Sequence, residues 1–285
     1  MTLVIAHRGL RSEAPENTLA AFRSALSLLG LHGVEFDVEL TADNKAVVVH
    51  QETVVPDDQF QRVVPAARDF TSRDWVGSRQ CREIVGLDAG SWFDSAFSTE
   101  RIPTLEDVLN LPWGSVVPFI ELKDATFWGE RDPERPRRIV DAAYPAIAHY
   151  PGTLRVMSFN PAVLSEVRAR LKGIVTALEL WTEWKDREQE AAEQALACGA
   201  SYVSVPEMMV LERPQWISTA HAHGLGIFVY PVSPAVGEPE YRNWTPESQL
   251  PTWRKLRDLG IDAIMSDFAR QSLLPDHGLR LTDSN

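Results

Sequence analysis

The sequence predicts an α/β protein folded as one (β/α)8 barrel, and three observations point that way. Nine short apolar runs alternate with seven helical patterns over 285 residues. No linker-like or low-complexity stretch divides them, so a single domain over residues 1–285 is expected. The open doubly wound sheet would be favoured by a G-x-G-x-x-G after the first strand, and that motif is absent.

The bulk composition narrows the function classes. With 44% apolar and 24% charged residues the chain reads as soluble and globular. A formal charge of −12 argues against nucleic acid or an anionic membrane as partner. Cys81 and Cys198 lack metal-ligand spacing and read as free thiols. No run of about 18 apolar residues exists, so no integral membrane segment is expected. The start, MTLVIAHRG, enters a strand without a basic leader, and a cytoplasmic location is the expectation.

Each element has a local reason. Leu3–Ala6 is an apolar run delivering His7-Arg8-Gly9. Leu19, Phe22, Leu26 and Leu29 recur at helical spacing, with Asn17 as the predicted N-cap. A strand from Val34 carries Glu35 and Asp37 two residues apart, so both point to one face. A second run, Ala46–Val49, delivers His50. The connection is too short for an ordinary parallel crossover. A hairpin centred on Asp43-Asn44, placing Asp37 opposite His50, and an unusually short return to a parallel strand both remain open. Residues 51–102 are poorly periodic, as in a functional connection. Thr104 and Asp107 predict a capping box. Strands then follow over 116–121, 154–157, 175–180, 202–205, 227–230 and 261–265. The helices between them cover 136–149, 161–171 (capped by Asn160, with Pro161 in its first turn), 186–198 and 214–224. A last helix starts near Thr252, after a Pro-rich loop over 231–251.

Barrels of this class carry reactive groups at the C-terminal ends of their strands. His7 and Arg8 end the first strand, Glu121 ends the fourth, and Lys123 follows on the same face. Glu35, Asp37 and Glu121 together would repel and keep protons unless a cation sits among them. All-oxygen ligands suit Mg2+ or Ca2+. His7 and His50, left outside the metal shell, suit acid–base chemistry. Arg8 and Lys123 suit an oxyanion, Arg8 by bidentate contact. A metal, two cations and two histidines describe phosphodiester cleavage better than acyl transfer, or glycoside hydrolysis by two carboxyls alone.

The ordered set His7-Arg8-Gly9, Ala14–Thr18, Glu35-Phe36-Asp37, Val49-His50, Ala89–Phe93, Ile102–Glu106, Glu121-Leu122-Lys123 and Ser158-Phe159-Asn160 resembles the glycerophosphodiester phosphodiesterase family. The resemblance returns at 259–268. It implies a TIM-type barrel with Glu35, Asp37 and Glu121 as metal acids and His7 and His50 as the acid–base pair. It also implies Arg8 on the phosphate, Lys123 as a basic neighbour and Glu16 as an active-site carboxylate. The implied reaction is hydrolysis of a small glycerophosphodiester, or a sugar-containing analogue, to a sugar or glycerol phosphate and an alcohol. Glu179, Tyr230 and Trp128 are further candidates for the pocket wall. Gln51 stands where the family usually has Asp, and Tyr230-Pro231-Val232 leads into an extra loop carrying Trp244. Two other readings are a phospholipase D of the sphingomyelinase D type, which needs lipid access, and a non-catalytic binding barrel. The latter would be signalled by loss of a histidine or a metal acid, and none is missing.

Overall fold

The computed structural model describes residues 2–66, 74–124, 132–234 and 239–274. In chain order the strands are β1 (Leu3–Ala6), β2 (Gly33–Leu40), β3 (Ala46–Val48), β4 (Val54–Pro56), β5 (Val63–Pro65), β6 (Val117–Leu122), β7 (Arg155–Ser158), β8 (Val175–Glu179), β9 (Tyr202–Pro206), β10 (Gly226–Tyr230) and β11 (Ala263–Ser266). The helices are α1 (Leu19–Leu26), α2 (Cys81–Ile84), α3 (Leu105–Leu109), α4 (Arg135–His149), α5 (Pro161–Arg170), α6 (Glu188–Ala197), α7 (Glu207–Glu212), α8 (Gln215–Ala222), α9 (Pro246–Leu259) and α10 (Ala269–Ser272). Eight parallel strands run β1-β2-β6-β7-β8-β9-β10-β11, and β11 pairs back onto β1, closing the barrel. Among the described residues no helix is long and apolar enough to cross a membrane.

Alternation along the strands separates two cores. Val34, Phe36 and Val38 of β2 face the helices, where Phe36 meets Phe22 at 5.4 Å and Trp113 at 6.0 Å between ring centroids. Truncating such a buried ring costs about 3–5 kcal/mol. Ile5, Phe119, Met157, Ala177, Phe228, Ala263 and Met265 fill the barrel's interior. The same inward parity, carried to the C-terminal rim, presents His7, Glu121, Phe159, Glu179, Tyr230 and Asp267.

The short connection after β2 is a hairpin. β3 pairs antiparallel with β2, and Val38 faces Val48. The centre is Asp43, one position short of the expected register, so Asp37 faces Val49 and its carbonyl accepts the Val49 amide at 3.0 Å. The reason is the turn. Asn44 takes a left-handed φ of 55°, and the extra residue makes a bulged three-residue loop. β3 lies beyond the barrel rim. With β4, β5, α2 and the 81–102 connection it covers a satellite core of Val47, Val49, Trp75, Ile84 and Leu87.

Two other expectations are corrected. Thr18, not Asn17, caps α1, accepting the Ala21 amide, which releases the Asn17 side chain for other contacts. α9 begins at Pro246, six residues before the expected start. Thr245 and Ser248 form a capping box and Pro246 occupies the first turn, so the prolines there start a helix rather than a loop.

Gly9 sets how closely the loop after β1 approaches α1. Its φ is +80°, and a Cβ there would lie 2.8 Å from Ala21 Cβ. Gly9→Ala is expected to lower unfolding free energy by about 2–4 kcal/mol, from left-handed strain plus overpacking. Chemical denaturation would show a lower midpoint with an unchanged slope.

Candidate active site

One cavity of about 300 Å³ opens at the C-terminal end of the barrel, and His7, Arg8, Glu16, Glu35, His50 and Glu121 line it. Lys123, Glu179 and Tyr230 line it too, so these sequence-predicted residues converge on one place. Asp37 lies just behind them, and Trp128 falls outside the described residues.

Strand register explains the acids. Asp37 on β2 pairs with Glu121 on β6, and Glu35 pairs with Phe119 one step deeper. Ligand oxygens of Glu35, Asp37 and Glu121 all lie within 4.8 Å of one another, and all three residues are buried. Lys123 Nζ sits 3.1 Å from Asp37 Oδ1 and 2.7 Å from Glu121 Oε1. Arg8 Nε is 3.2 Å from Asp37 Oδ2, and Asn17 Nδ2 donates to the same oxygen at 2.8 Å. Arg8 and Asn17 both hold left-handed backbones, with φ of 56° and 57°. The turned Arg8 amide donates to Glu35 Oε2 at 3.0 Å, which shows what that strain secures.

The carboxylates split by environment. Burial, then Asp37 and Glu121, raise Glu35 well above the usual range. Burial pushes Glu121 up to about 7 against the pull of Lys123. Burial would raise Asp37 as well, but Lys123, His50 and Arg8 outweigh it and hold it well below the usual range. Glu35 Oε1 is buried and has no hydrogen-bond partner. Converging oxygens, one of them unsatisfied, and two carboxyls that resist ionisation fit a bound divalent cation.

A carboxylate is hydrogen-bonded to His7, and acids also lie close to His50 without bonding its Nδ1. His7 Nδ1 lies 2.6 Å from Asp267 Oδ1, and His7 Nε2 lies 3.9 Å from Glu35 Oε2. Asp267 is held far below the usual carboxylate range, with Arg11 and His7 overcoming its burial, so it is ionised and Nδ1 carries the proton. Nε2 is therefore the proton-exchanging atom of His7. His50 Nε2 is 4.0 Å from Asp37 Oδ1, and Nδ1 is 3.1 Å from Glu52 Oε2. Burial and the Arg8 charge lower both histidines.

Glu16 is tied to Arg8 at 3.0 Å, to Arg11 at 2.7 Å and to the Thr53 hydroxyl, so it orders the cations rather than charging a helix end. Glu179 is buried with Oε2 lacking a partner, and burial followed by Glu121 raises it well above the usual range. Phe159, Trp181 and Tyr230 form the apolar wall, with Trp181 and Tyr230 stacked at 6.1 Å. The Tyr230 hydroxyl donates to the Leu180 carbonyl at 2.7 Å, so it is an anchored wall and not a free polar group.

The fold agrees with the comparisons. The glycerophosphoryl diester phosphodiesterase family model matches residues 7–271. The chain belongs to this family. A Caldanaerobacter subterraneus glycerophosphodiester phosphodiesterase is 46% identical over 110 residues, 39% of this chain and 40% of that protein. A Bacillus altitudinis glycerophosphodiester phosphodiesterase is 34% identical over 129 residues, 45% of this chain and 47% of that protein. These alignments thus span less than half the length of either relative. An Oleispira antarctica phosphodiesterase, solved in complex with the product sn-glycerol-3-phosphate, shares the fold with a TM-score of 0.70 at 21% identity, covering 95% of each chain. A glycerophosphodiester phosphodiesterase from Agrobacterium tumefaciens superposes with a TM-score of 0.63 at 25% identity over 96% of this chain and all of that one.

Within the family frame, Gln51 is a structural residue. It is buried, does not line the cavity, and donates through Nε2 to Glu39 Oε1 at 2.9 Å. Glu39 continues the inward run of Glu35 and Asp37 past the rim, where Arg135 pairs with it at 3.4 Å and with Asp74 at 2.8 Å. A neutral donor at 51 suits a neighbouring carboxylate, so the departure from the family's usual Asp compensates Glu39 and does not rebuild the substrate pocket. Sequence reasoning missed Arg11, Thr53, Glu52 and the role of Asp267. Asp267 lay in the matched segment at 259–268 and was readable as a strand-end acid, whereas Arg11 carried no signal.

Gln51→Asp is expected to cost about 2–4 kcal/mol, since it removes the donor to Glu39 and buries a second acid beside a carboxyl that burial already holds well above the usual range. Thermal melts would register the loss while KM for substrate stays unchanged. An altered KM at intact stability would return Gln51 to the pocket.

Proposed function

We propose that this barrel, acting as one domain, hydrolyses a small water-soluble glycerophosphodiester to glycerol 3-phosphate and an alcohol. The observation that carries the reading is the cavity itself. Two histidines, each within 4.0 Å of one of the clustered acids, stand there beside two cations. The family membership and the product named for the Oleispira relative support it.

Roles follow from geometry. Glu35, Asp37 and Glu121 hold a divalent cation, Mg2+ or Ca2+ on their all-oxygen donor set. When bound, that ion supplies Lewis-acid stabilisation of charge on the phosphoryl oxygens. Arg8 and Lys123 orient the phosphodiester and add fixed positive charge. His7, through Nε2, and His50 form the acid–base pair: one accepts the proton of a neighbouring substrate hydroxyl as it closes a cyclic phosphate, the other protonates the departing alkoxide, and water then opens the cycle to glycerol 3-phosphate. The wall of Phe159, Trp181 and Tyr230 excludes water from one side of the cavity.

His7→Ala and His50→Ala are each expected to lower kcat at least about 100-fold with a native melting profile. EDTA should abolish turnover, and Mg2+ or Ca2+ should restore it. Full hydrolysis of bis(p-nitrophenyl) phosphate by metal-free protein would refute the cation. Because metal-free Glu121 titrates near 7, it holds its proton below that pH and the cation must displace it. With Glu35 raised as well, calorimetry at pH 6 should show at least about fivefold weaker cation binding than at pH 7, with more than one proton released. Glycerol 3-phosphate release from diesters with different head groups identifies the alcohol.

A further inference from the structure

Asp267 is the group behind His7, and three donors hold it. Its Oδ1 accepts from His7 Nδ1 at 2.6 Å and from Arg11 Nη1 at 3.1 Å. Its Oδ2 accepts from the indole Nε1 of Trp244 at 2.8 Å. Trp244 does not line the cavity. It lies in the loop after β10 where the sequence departs from the family pattern. The same loop reaches this network a second time, where Ser233 Oγ accepts from Arg11 at 3.2 Å.

We propose that Trp244 is a positioning residue for the reaction, fixing the plane of the Asp267 carboxylate and thereby the direction of His7 Nε2. This rests on the acid–base reading of His7. Asp267 is buried, so an Oδ2 without a donor would carry the cost of an unsatisfied charged acceptor. The carboxylate would relieve that cost by rotating to share both oxygens between Arg11 and His7, and the imidazole would turn with it. Trp244 is well placed to resist such rotation. It immediately precedes Thr245, whose hydroxyl caps α9 by accepting the Ser248 amide at 3.2 Å, and α9 is pinned by buried Trp253. The indole is therefore carried on a fixed helix start, while the Asp267 backbone is fixed by β11. Misplacing a reacting group by about 1 Å through a change away from the chemistry costs up to about 100-fold.

The test is a double-mutant cycle in the metal-loaded protein. Trp244→Phe keeps the ring and removes the donor, so kcat should fall about tenfold at unchanged KM. Asp267→Asn should lower kcat further. The Trp244→Phe effect should vanish in the Asp267→Asn background, because the two act through one path. Equal effects in both backgrounds, an unchanged kcat, or a change confined to KM would each overturn the inference. Should Trp244→Phe fail to fold, Trp244→Gln and Trp244→Leu decide it. Both lose the indole but only Gln offers an N–H, so Gln must retain the greater kcat, and equality overturns the idea. His7→Ala separates the two layers. Full activity in that variant removes the acid–base reading and this inference together. Additivity in a protein that His7→Ala does inactivate removes this inference alone.

Discussion

The buried carboxylate of Asp37 is the interaction on which the rest of the site depends. Lys123 converges on it from the end of β6, and Arg8 and Asn17 from the loop between β1 and α1. It is the one acid of the central three held firmly ionised, because those partners outweigh its burial. Removing it would leave two cations buried without their shared counter-charge, which is the costly way to break such a network. Its position is dictated by register. β2 and β6 pair so that Asp37 and Glu121 are neighbours, and Lys123 leaves β6 two residues later on the same face.

Around that centre the barrel imposes a simple rule. Positions of one parity face inward, and at the rim they become the cavity. Below the rim that parity is apolar, as in Phe119, Met157 and Phe228. At the rim it becomes His7, Glu121, Glu179 and Asp267, where the loops meet solvent and a ligand can reach. The strained backbones at Arg8 and Asn17 lie in the loop where β1 hands over to α1, and the close fit of Gly9 against Ala21 holds that loop down. Rigid strands thus aim most of the groups, and one tightly packed loop aims the rest.

Much of this was legible from residues alone. Alternation in Glu35-Phe36-Asp37 reports a face without needing tertiary context, and a strand end followed by His-Arg or by Leu-Lys reports a rim. The closed barrel followed from regular alternation over most of the chain. The illegible parts share a cause. The hairpin register depended on a left-handed Asn44, which adds one residue that the apolar pattern does not mark. The roles of Gln51 and Trp244 depended on which neighbour each meets, Glu39 and Asp267, and those neighbours lie 12 and 23 positions away in sequence. Spacing predicts direction along an element, whereas partners across elements emerge only from packing.

The charge balance of the cavity explains why proton and cation occupancy are alternatives. Glu35, Asp37 and Glu121 face Arg8 and Lys123, so with every carboxylate ionised the floor is already net negative before an anionic diester arrives. Without a cation, protons on Glu35 and Glu121 reverse that balance, and their raised titration is the sign of it. With a cation in place, the same oxygens would ionise and the floor would stay positive by one unit. A phosphodiester of charge −1 is then met by an equal charge in a low-dielectric pocket, where the attraction is far stronger than in water. Exchanging two protons for a divalent cation would therefore leave the net charge of the floor at plus one while adding Lewis-acid stabilisation that protons do not supply, on a chain whose net charge of −12 would otherwise repel an anionic substrate.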